Sequence, residues 1–469
     1  MTIMDETRTV SEWIVNAKYG DFPQETIDCA KGLLLKTVTG MVIGAREPIG
    51  KTITNYLART AGPPVAGVTG GGFQTTVEDA AYAHGVFAHA SELEDDEFPP
   101  TGDGHGNYWS FPAILSLAED LFSDGREIIV AAIQSWEILS RLTRAACAKN
   151  VEGKMEYTVA NHTGISTASY NGTISAAVGA ARLMNLNPDQ TQNALSLSVS
   201  HAAGKVAQLG FDAHFIESGL SCRTGIQSAL FAREGLTGRP DILERPDGVF
   251  GPVWSEGKVD VELMTKDLGK PPFSVHNVEF KKYGCCNLMH STNDNVLKVV
   301  EEHGLKPEDV EQIDVGVTMV GDKFCNRPDP RSPTEARFSY QFAAAEVLLR
   351  RKIDYSTFSE KRLADTDIRE VAKKVKVFIP EEWPPMGHPG SRITVTLKNG
   401  KKIESEVASQ LGHPLNPLSL EQVTNVSKNF LEVYLDDQQC ALVLETMATL
   451  EEKPDIRTMM DMLTHFHIR

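Results

Sequence analysis

The chain has 469 residues, enough for two or more hydrophobic cores, because a single core stops growing at about 250–300 residues. Hydrophobic residues at 41% and charged residues at 23% are ordinary for a folded globular protein, and no acidic tail or polar low-complexity tract points to disorder. The net charge of −17 argues against nucleic acid as a partner, since phosphate backbones are held by clustered Lys and Arg; a small anion needs only a local cationic pocket.

The N-terminal stretch MTIMDETRTVSEWIV reaches charge too soon for a secretory signal, and no apolar run approaches the roughly 18 residues of a membrane span. A cytoplasmic protein without membrane partners is expected. Cys29, Cys147, Cys222, Cys285, Cys286, Cys325 and Cys440 are odd in number and scattered, without the C-x-x-C pairs of a zinc or redox site, as suits a reducing compartment.

From residue 11 to about 265 the pattern is helical almost throughout. PQETIDCAKGLLLKTVTGMVIG spaces Ile27, Leu33, Leu34, Val38 and Met41 close to helical periodicity, with Gly40 and Gly44 near its end. TGGGF at 69–73 lacks the G-x-G-x-x-G spacing of a nucleotide loop and reads as a turn. In TTVEDAAYAHGVFAHASELEDD, Thr75 and Glu78 stand at capping-box spacing. A helix running on to Pro99-Pro100 would place Tyr82, Val86, His89, Leu93 and Asp96 on one face, with Glu92 beside His89.

Five carboxylates fall between Glu92 and Glu97. They are either a solvated helix end or the source of a general base. Gly102, Gly104 and Gly106 then flank His105, and SFPAILSLAED is predicted to open a new helix with Ser110 as N-cap and Pro112 in the first turn. His105 would lie near a helix N-terminus, where backbone N–H groups favour an anion. A substrate carboxylate held there could meet His105 as proton donor and a nearby acid as proton acceptor. ISAAVGAARLMNL and GIQSALFAREGLTG are further helices, the second closing on Gly235 and Gly238.

The character changes after LGKPPFSVHNVEF. VEQIDVGVTMV (310–320) and VKVFIP (375–380) read as strands. RITVTLKNGKKIESEV reads as a hairpin with Asn399-Gly400 as a type I′ turn. SPTEARFSYQFAAAEVLLRR reads as one helix with a Ser or Thr N-cap. Cys285-Cys286 are taken as small buried residues rather than nucleophiles. Helical character returns in SLEQVTNVSKNFLEVYL and CALVLETMATLEE. The expectation is a mainly α fold, in which a helical domain made of 1–267 and 409–469 is interrupted by an α+β lid at 268–408, and interdomain clefts favour small-molecule sites.

Four ordered segments, HASELEDDE…H…PAILSLAE, GLSCRTGIQSALFAREGLTG, KKYGCCNLMH and NRPDPRSPTEARFSYQ, resemble the MmgE/PrpD family. Its activities include 2-methylcitrate dehydratase, cis-aconitate decarboxylase and iminodisuccinate epimerase, and the last segment looks particularly like the decarboxylases. The resemblance covers about residues 10 to 460. It implies a site between the helical domain and the lid, commonly a homodimer, and no required metal or organic cofactor. Carried over by position, the family's catalytic aspartate falls on Glu92, its first histidine on His105, its lid lysine on Lys281 and its lid histidine on His290. The second histidine aligns with Ser166, which leaves His162 as a substitute; a lysine aligns with His214, and the threonine closing the acid motif is Asp96.

Such reactions develop negative charge beside a carboxylate that is already anionic, so cations must neutralise it first. Lys281, Lys282, His290 and Arg337 are the candidates, with Arg223 a further one; Arg337 alternatively pairs with Glu335. The expected function is a cofactor-independent lyase, a dehydratase or decarboxylase, acting on a small di- or tricarboxylic acid. An epimerase or isomerase of an amino- or imino-dicarboxylate is the alternative enzyme, since crowded acids repel a tricarboxylate. A non-catalytic binding protein that keeps the fold is the alternative outside enzymes.

Overall fold

The computed structural model describes residues 5–97, 106–147, 164–208, 211–251, 259–383 and 390–466. The fold is mainly α-helical, with only small sheets. It comprises two compact units, Met1–Val278 with Ser419–Arg469, and Glu279–Leu418. These boundaries fall later than the changes of pattern at 268 and 408. Residues near 274 are tied to the first unit, where Ser274 N–H donates to Glu137 Oε2 at 2.7 Å and Trp136 Nε1 donates to Ser274 O at 3.2 Å. Residues near 411 are tied to the second, where Phe280 N–H donates to Gly412 O at 2.9 Å.

The first unit is built on α1 (Glu6–Asn16), α2 (Gln24–Gly44), α3 (Pro48–Thr60), α4 (Val77–Ala90), α5 (Gly106–Leu121), α6 (Gly125–Cys147), α7 (Thr167–Leu183), α8 (Pro188–His201) and α9 (Asp212–Arg233). Helices α2, α4, α5 and α7 are buried on nearly every face, as expected of helices that are apolar all round. Helices α4 and α9 pack together closely because each carries a glycine at the contact. A Cβ on Gly85 would lie 2.8 Å from Gly219 Cα, and Ser218 Oγ donates to Gly85 O at 2.9 Å. The C-terminal helices Leu420–Leu431 and Asp437–Ala448 pack on α2.

Local expectations at α4 and α5 need correction. The N-cap of α4 is Thr76, whose hydroxyl accepts Asp79 N–H at 3.2 Å; Thr75 ends a strand, and its hydroxyl accepts Gly62 N–H. Helix α4 also stops at Ala90, before the acid run, so Leu93 and Asp96 do not continue its face. Helix α5 starts at Gly106, with Pro112 in its interior and Ser110 Oγ donating to Gly106 O at 3.0 Å. A proline cannot donate to the carbonyl four residues back. Here that carbonyl, Tyr108 O, is approached instead by the Cys222 thiol at 3.7 Å.

TGGGF is a turn, as read. It joins β1 (Ala66–Gly67) to β2 (Gln74–Thr75) in an antiparallel pair, with Gly70 and Gly72 at positive φ. Two buried ionisable groups pin it. Glu119 accepts Gly67 N–H, and His84 Nε2 accepts Thr69 N–H at 3.1 Å. The other His84 nitrogen lies 2.9 Å from Ser116 Oγ, so the imidazole is held as its neutral Nδ1–H form. The end of α9 also fits its sequence. Gly235 at φ 96 lets Leu236 N–H reach Phe231 O at 2.9 Å and Gly235 N–H reach Ala232 O at 3.1 Å, a Schellman ending.

The second unit carries a four-stranded sheet, β3 (Val310–Gly316), β4 (Val375–Phe378), β5 (Ser391–Leu397) and β6 (Lys402–Val407), in the order β4-β3-β5-β6. Strands β3 and β4 are parallel and the other pairs antiparallel. Helices α10 (His290–Glu302) and α11 (Tyr340–Arg350) share its core with β3 and β5. The β5–β6 turn is not type I′. Only Gly400 has positive φ there, Gly400 N–H donates to Leu397 O, and Leu397 N–H donates to Lys401 O; this is a type I turn closed by a glycine bulge. The predicted single helix at 332–350 is two. Ser332 caps Pro333–Ala336, and Ser339 caps α11 by accepting Phe342 N–H at 3.1 Å.

Candidate functional site

The acid run of the first unit is not a solvated helix end. Glu92, Glu94, Asp95 and Glu97 are all buried and Asp96 is partly exposed. Buried carboxylates need partners, and two of these are locked into the frame. Asp95 Oδ1 lies 3.7 Å from Lys36 Nζ, itself buried within α2, while Oδ2 accepts Asn107 Nδ2 at 2.9 Å. Asp95 N–H donates back to Asn107 Oδ1. Glu97 Oε1 accepts the Ser140 hydroxyl and pairs with Arg144 Nη2 at 3.2 Å. Asp95 and Glu97 are therefore held by structural partners.

Glu92 differs from its neighbours in its backbone. It follows the C-cap Ser91 and takes φ 57, with its N–H on His89 O at 3.1 Å. This left-handed position after a helix is one that glycine fills without strain. A glutamate there carries a backbone cost of about 1 kcal/mol, and such outliers concentrate at functional sites.

Just before the acid run, His89 enters a buried ring cluster. Its imidazole centroid is 4.2 Å from Trp109, 4.4 Å from His214 and 5.2 Å from Phe215. The two predicted residues Ser166 and His214 meet at one carboxylate beside this cluster. Ser166 caps α7, its hydroxyl 3.0 Å from Ser169 Oγ, and Ser169 Oγ donates to Glu217 Oε2 at 2.8 Å. Glu217 Oε2 lies 3.8 Å from His214 Nδ1, and Trp109 Nε1 donates to Ser169 Oγ at 3.2 Å. His105 and His162 lie outside the described residues.

In the second unit Lys281, His290 and Arg337 are all buried. His290 opens α10, with Nε2 3.2 Å from Cys285 O and its ring edge-on to Tyr283 at 5.1 Å. The carbonyl of Arg337 accepts Cys286 N–H at 2.9 Å, which joins the KKYGCC segment to the break between the two helices at 332–350. Cys285 is buried, and Asn293 Nδ2 approaches its sulfur at 3.8 Å. Two other candidate cations are committed elsewhere: Lys282 pairs with Asp294 at 2.6 Å, and the half-exposed Arg223 pairs with Asp79 at 2.9 Å. Among the described residues, no three His, Cys, Asp or Glu side chains converge as metal ligands, and no helix is long and apolar enough to cross a membrane.

The sequence matches the MmgE/PrpD N-terminal domain over residues 8–262 and the MmgE/PrpD C-terminal domain over residues 283–451. The chain belongs to the MmgE/PrpD family. Similar members include cis-aconitate decarboxylases of Mus musculus, 26% identical over 80% of this chain and 75% of the mouse protein, and of Homo sapiens, 24% identical over 99% and 95%. That of Aspergillus terreus is 22% identical over 97% of this chain and 95% of its own length. These relatives are named for a decarboxylase, that is a lyase, activity.

Several residues around the candidate site are not picked out by motifs alone: Lys36, Asn107, Ser169 and Glu217. Lys36 stands in LLLKTVTG and Glu217 in HFIESGLS. A single charge within a short run of apolar and small residues was the available signal, because such a charge is buried only with a partner.

Proposed function

We propose that this chain is a decarboxylase or dehydratase of a small di- or tricarboxylic acid, with cis-aconitate the first substrate to test. The observation that carries the reading is Glu92, a buried carboxylate kept at φ 57, a backbone position that favours glycine. The names of the relatives support decarboxylation in particular.

In this reading Lys281, His290 and Arg337 are the cations for substrate carboxylates, and Ser166 and His214 are further substrate-binding residues. For decarboxylation, the carbon–carboxylate bond breaks, CO₂ departs, and the electron pair left on carbon takes a proton from an imidazolium, His105 or His290. For dehydration, Glu92 takes the α-proton, its electron pair forms the double bond, and hydroxide leaves as water with a proton from His105. Asp96 and His162 are further proton carriers. A homodimer in the cytoplasm is the proposed setting.

The crowded acids between Glu92 and Glu97, which repel a tricarboxylate, favour a second reading, epimerisation of an amino- or imino-dicarboxylate, in which a proton is removed and returned on the other face. Incubation of the protein in D₂O with citrate, 2-methylcitrate, cis-aconitate and iminodisuccinate, followed by NMR, separates the two. Stoichiometric release of CO₂ or water supports the lyase. Deuterium uptake without net product supports the epimerase, and a ligand that binds without either outcome points to a binding protein.

A further inference from the structure

The network around Glu217 joins the two positions at which this chain departs most from its family's motifs. Glu217 is buried on α9, one turn after His214. Its Oε1 accepts Lys205 N–H at 2.8 Å, and its Oε2 accepts Ser169 Oγ at 2.8 Å. Among the described residues no lysine or arginine side chain pairs with it, and the charged or chargeable group it faces is the His214 imidazole. His214 Nδ1 is buried without a hydrogen-bond partner among the described residues and lies 3.8 Å from Glu217 Oε2. A buried ring nitrogen left unsatisfied is costly, and a side-chain pair of this kind commonly tightens only when substrate is bound.

We infer that Glu217 is a positioning residue for His214: its carboxylate takes the Nδ1–H and so fixes which ring nitrogen, Nε2, is left for the substrate. The remaining neighbours of the ring suit that role. His89 from α4 packs edge-on at 4.4 Å, and Trp109 from α5 and Phe215 from α9 stand at 6.3 and 6.2 Å. They wall the imidazole in, and of these only His89 is titratable. The Ser166 hydroxyl steadies Ser169, which in turn steadies the carboxylate. Ser166 and His214 thus act as one unit through Glu217, and a small hydroxyl at 166 leaves Glu217 directed at the ring. The ring nitrogen presented this way suits a carboxylate or carbon acid of the same substrate class, so the inference rests on the lyase reading for its catalytic consequence.

The test uses the full-length protein and Glu217→Gln, which keeps acceptors for Lys205 N–H and Ser169 O–H but removes the charge facing His214. Ring ¹H–¹⁵N spectra of histidine-labelled protein, with the His214 signals identified by their loss in His214→Gln, report the ring directly. The expected result is that Glu217→Gln moves the His214 signals, lowers kcat on the active substrate tenfold or more, and leaves KM within threefold. Unchanged His214 signals, or moved signals with unchanged kcat, overturn the inference. If the wild-type protein turns over nothing in the substrate panel, the lyase reading fails separately, and the spectra alone decide whether Glu217 sets the ring.

Discussion

Glu92 concentrates the account at the scale of a single residue, because its side chain is retained where the backbone favours glycine. Glu92→Gln is therefore expected to lower kcat for dehydration by about 10²–10⁴, the usual worth of a general base. Normal exchange kinetics in Glu92→Gln would move the base to another acid of the run. A second pair of residues sets a pH dependence. Burial pushes the Glu119 carboxyl up from 4.5 to about 7 and the His84 imidazole down from 6.5 to about 3. The raised acid binds more protons folded than unfolded, so its contribution to stability falls as pH rises from about 4.5 to 7; the depressed histidine binds fewer, so its contribution falls as pH drops below 6.5. The two slopes oppose each other between 4.5 and 6.5. Glu119→Gln removes one, so its melting temperature should rise with pH across that window and exceed the wild type's at pH 8, by an amount worth up to about 3 kcal/mol. Parallel melting-temperature profiles from pH 4.5 to 8 would contradict this.

Among the elements, the α4–α9 contact and the α4 cap hold the ring cluster in place. Gly85→Ala would put a methyl group against the Gly219 backbone. Thermal denaturation should show a loss of several kcal/mol, against about 1 kcal/mol for Thr76→Ala at the cap; near-equal effects would show that the helices can separate cheaply. These elements also mark what sequence reasoning reaches. The periodicity of α2, the TGGGF turn and the glycine ending of α9 were legible because each is decided locally, by side-chain spacing or by φ. The ends of α4 and the start of α5 were not. Two adjacent threonines compete for the cap, and Pro112 is tolerated inside a helix because a thiol from α9 approaches the freed carbonyl. The helix at 332–350 divides because Ser339 offers a second cap. The hairpin was right in place and wrong in turn type, since Asn-Gly also suits a type I turn with a glycine bulge.

Over the whole molecule, family membership and the mainly α fold with a small α+β unit followed from ordered motifs and from the shift in pattern along the chain. The burial of the acid run did not, because the partners that permit it, Lys36, Asn107, Ser140 and Arg144, come from three separate helices. Nor did the joining of Ser166 to His214 through Glu217, for the same reason. The most direct test of the central claim is the conversion of cis-aconitate by the purified full-length protein, with CO₂ and organic product quantified together by ¹³C NMR. The account predicts CO₂ and decarboxylated product in equal amounts in the wild type, and loss of both when the proton donors His105 and His290 are replaced by alanine. Bound cis-aconitate that remains intact, with neither CO₂ nor water lost from any acid in the panel, would contradict it.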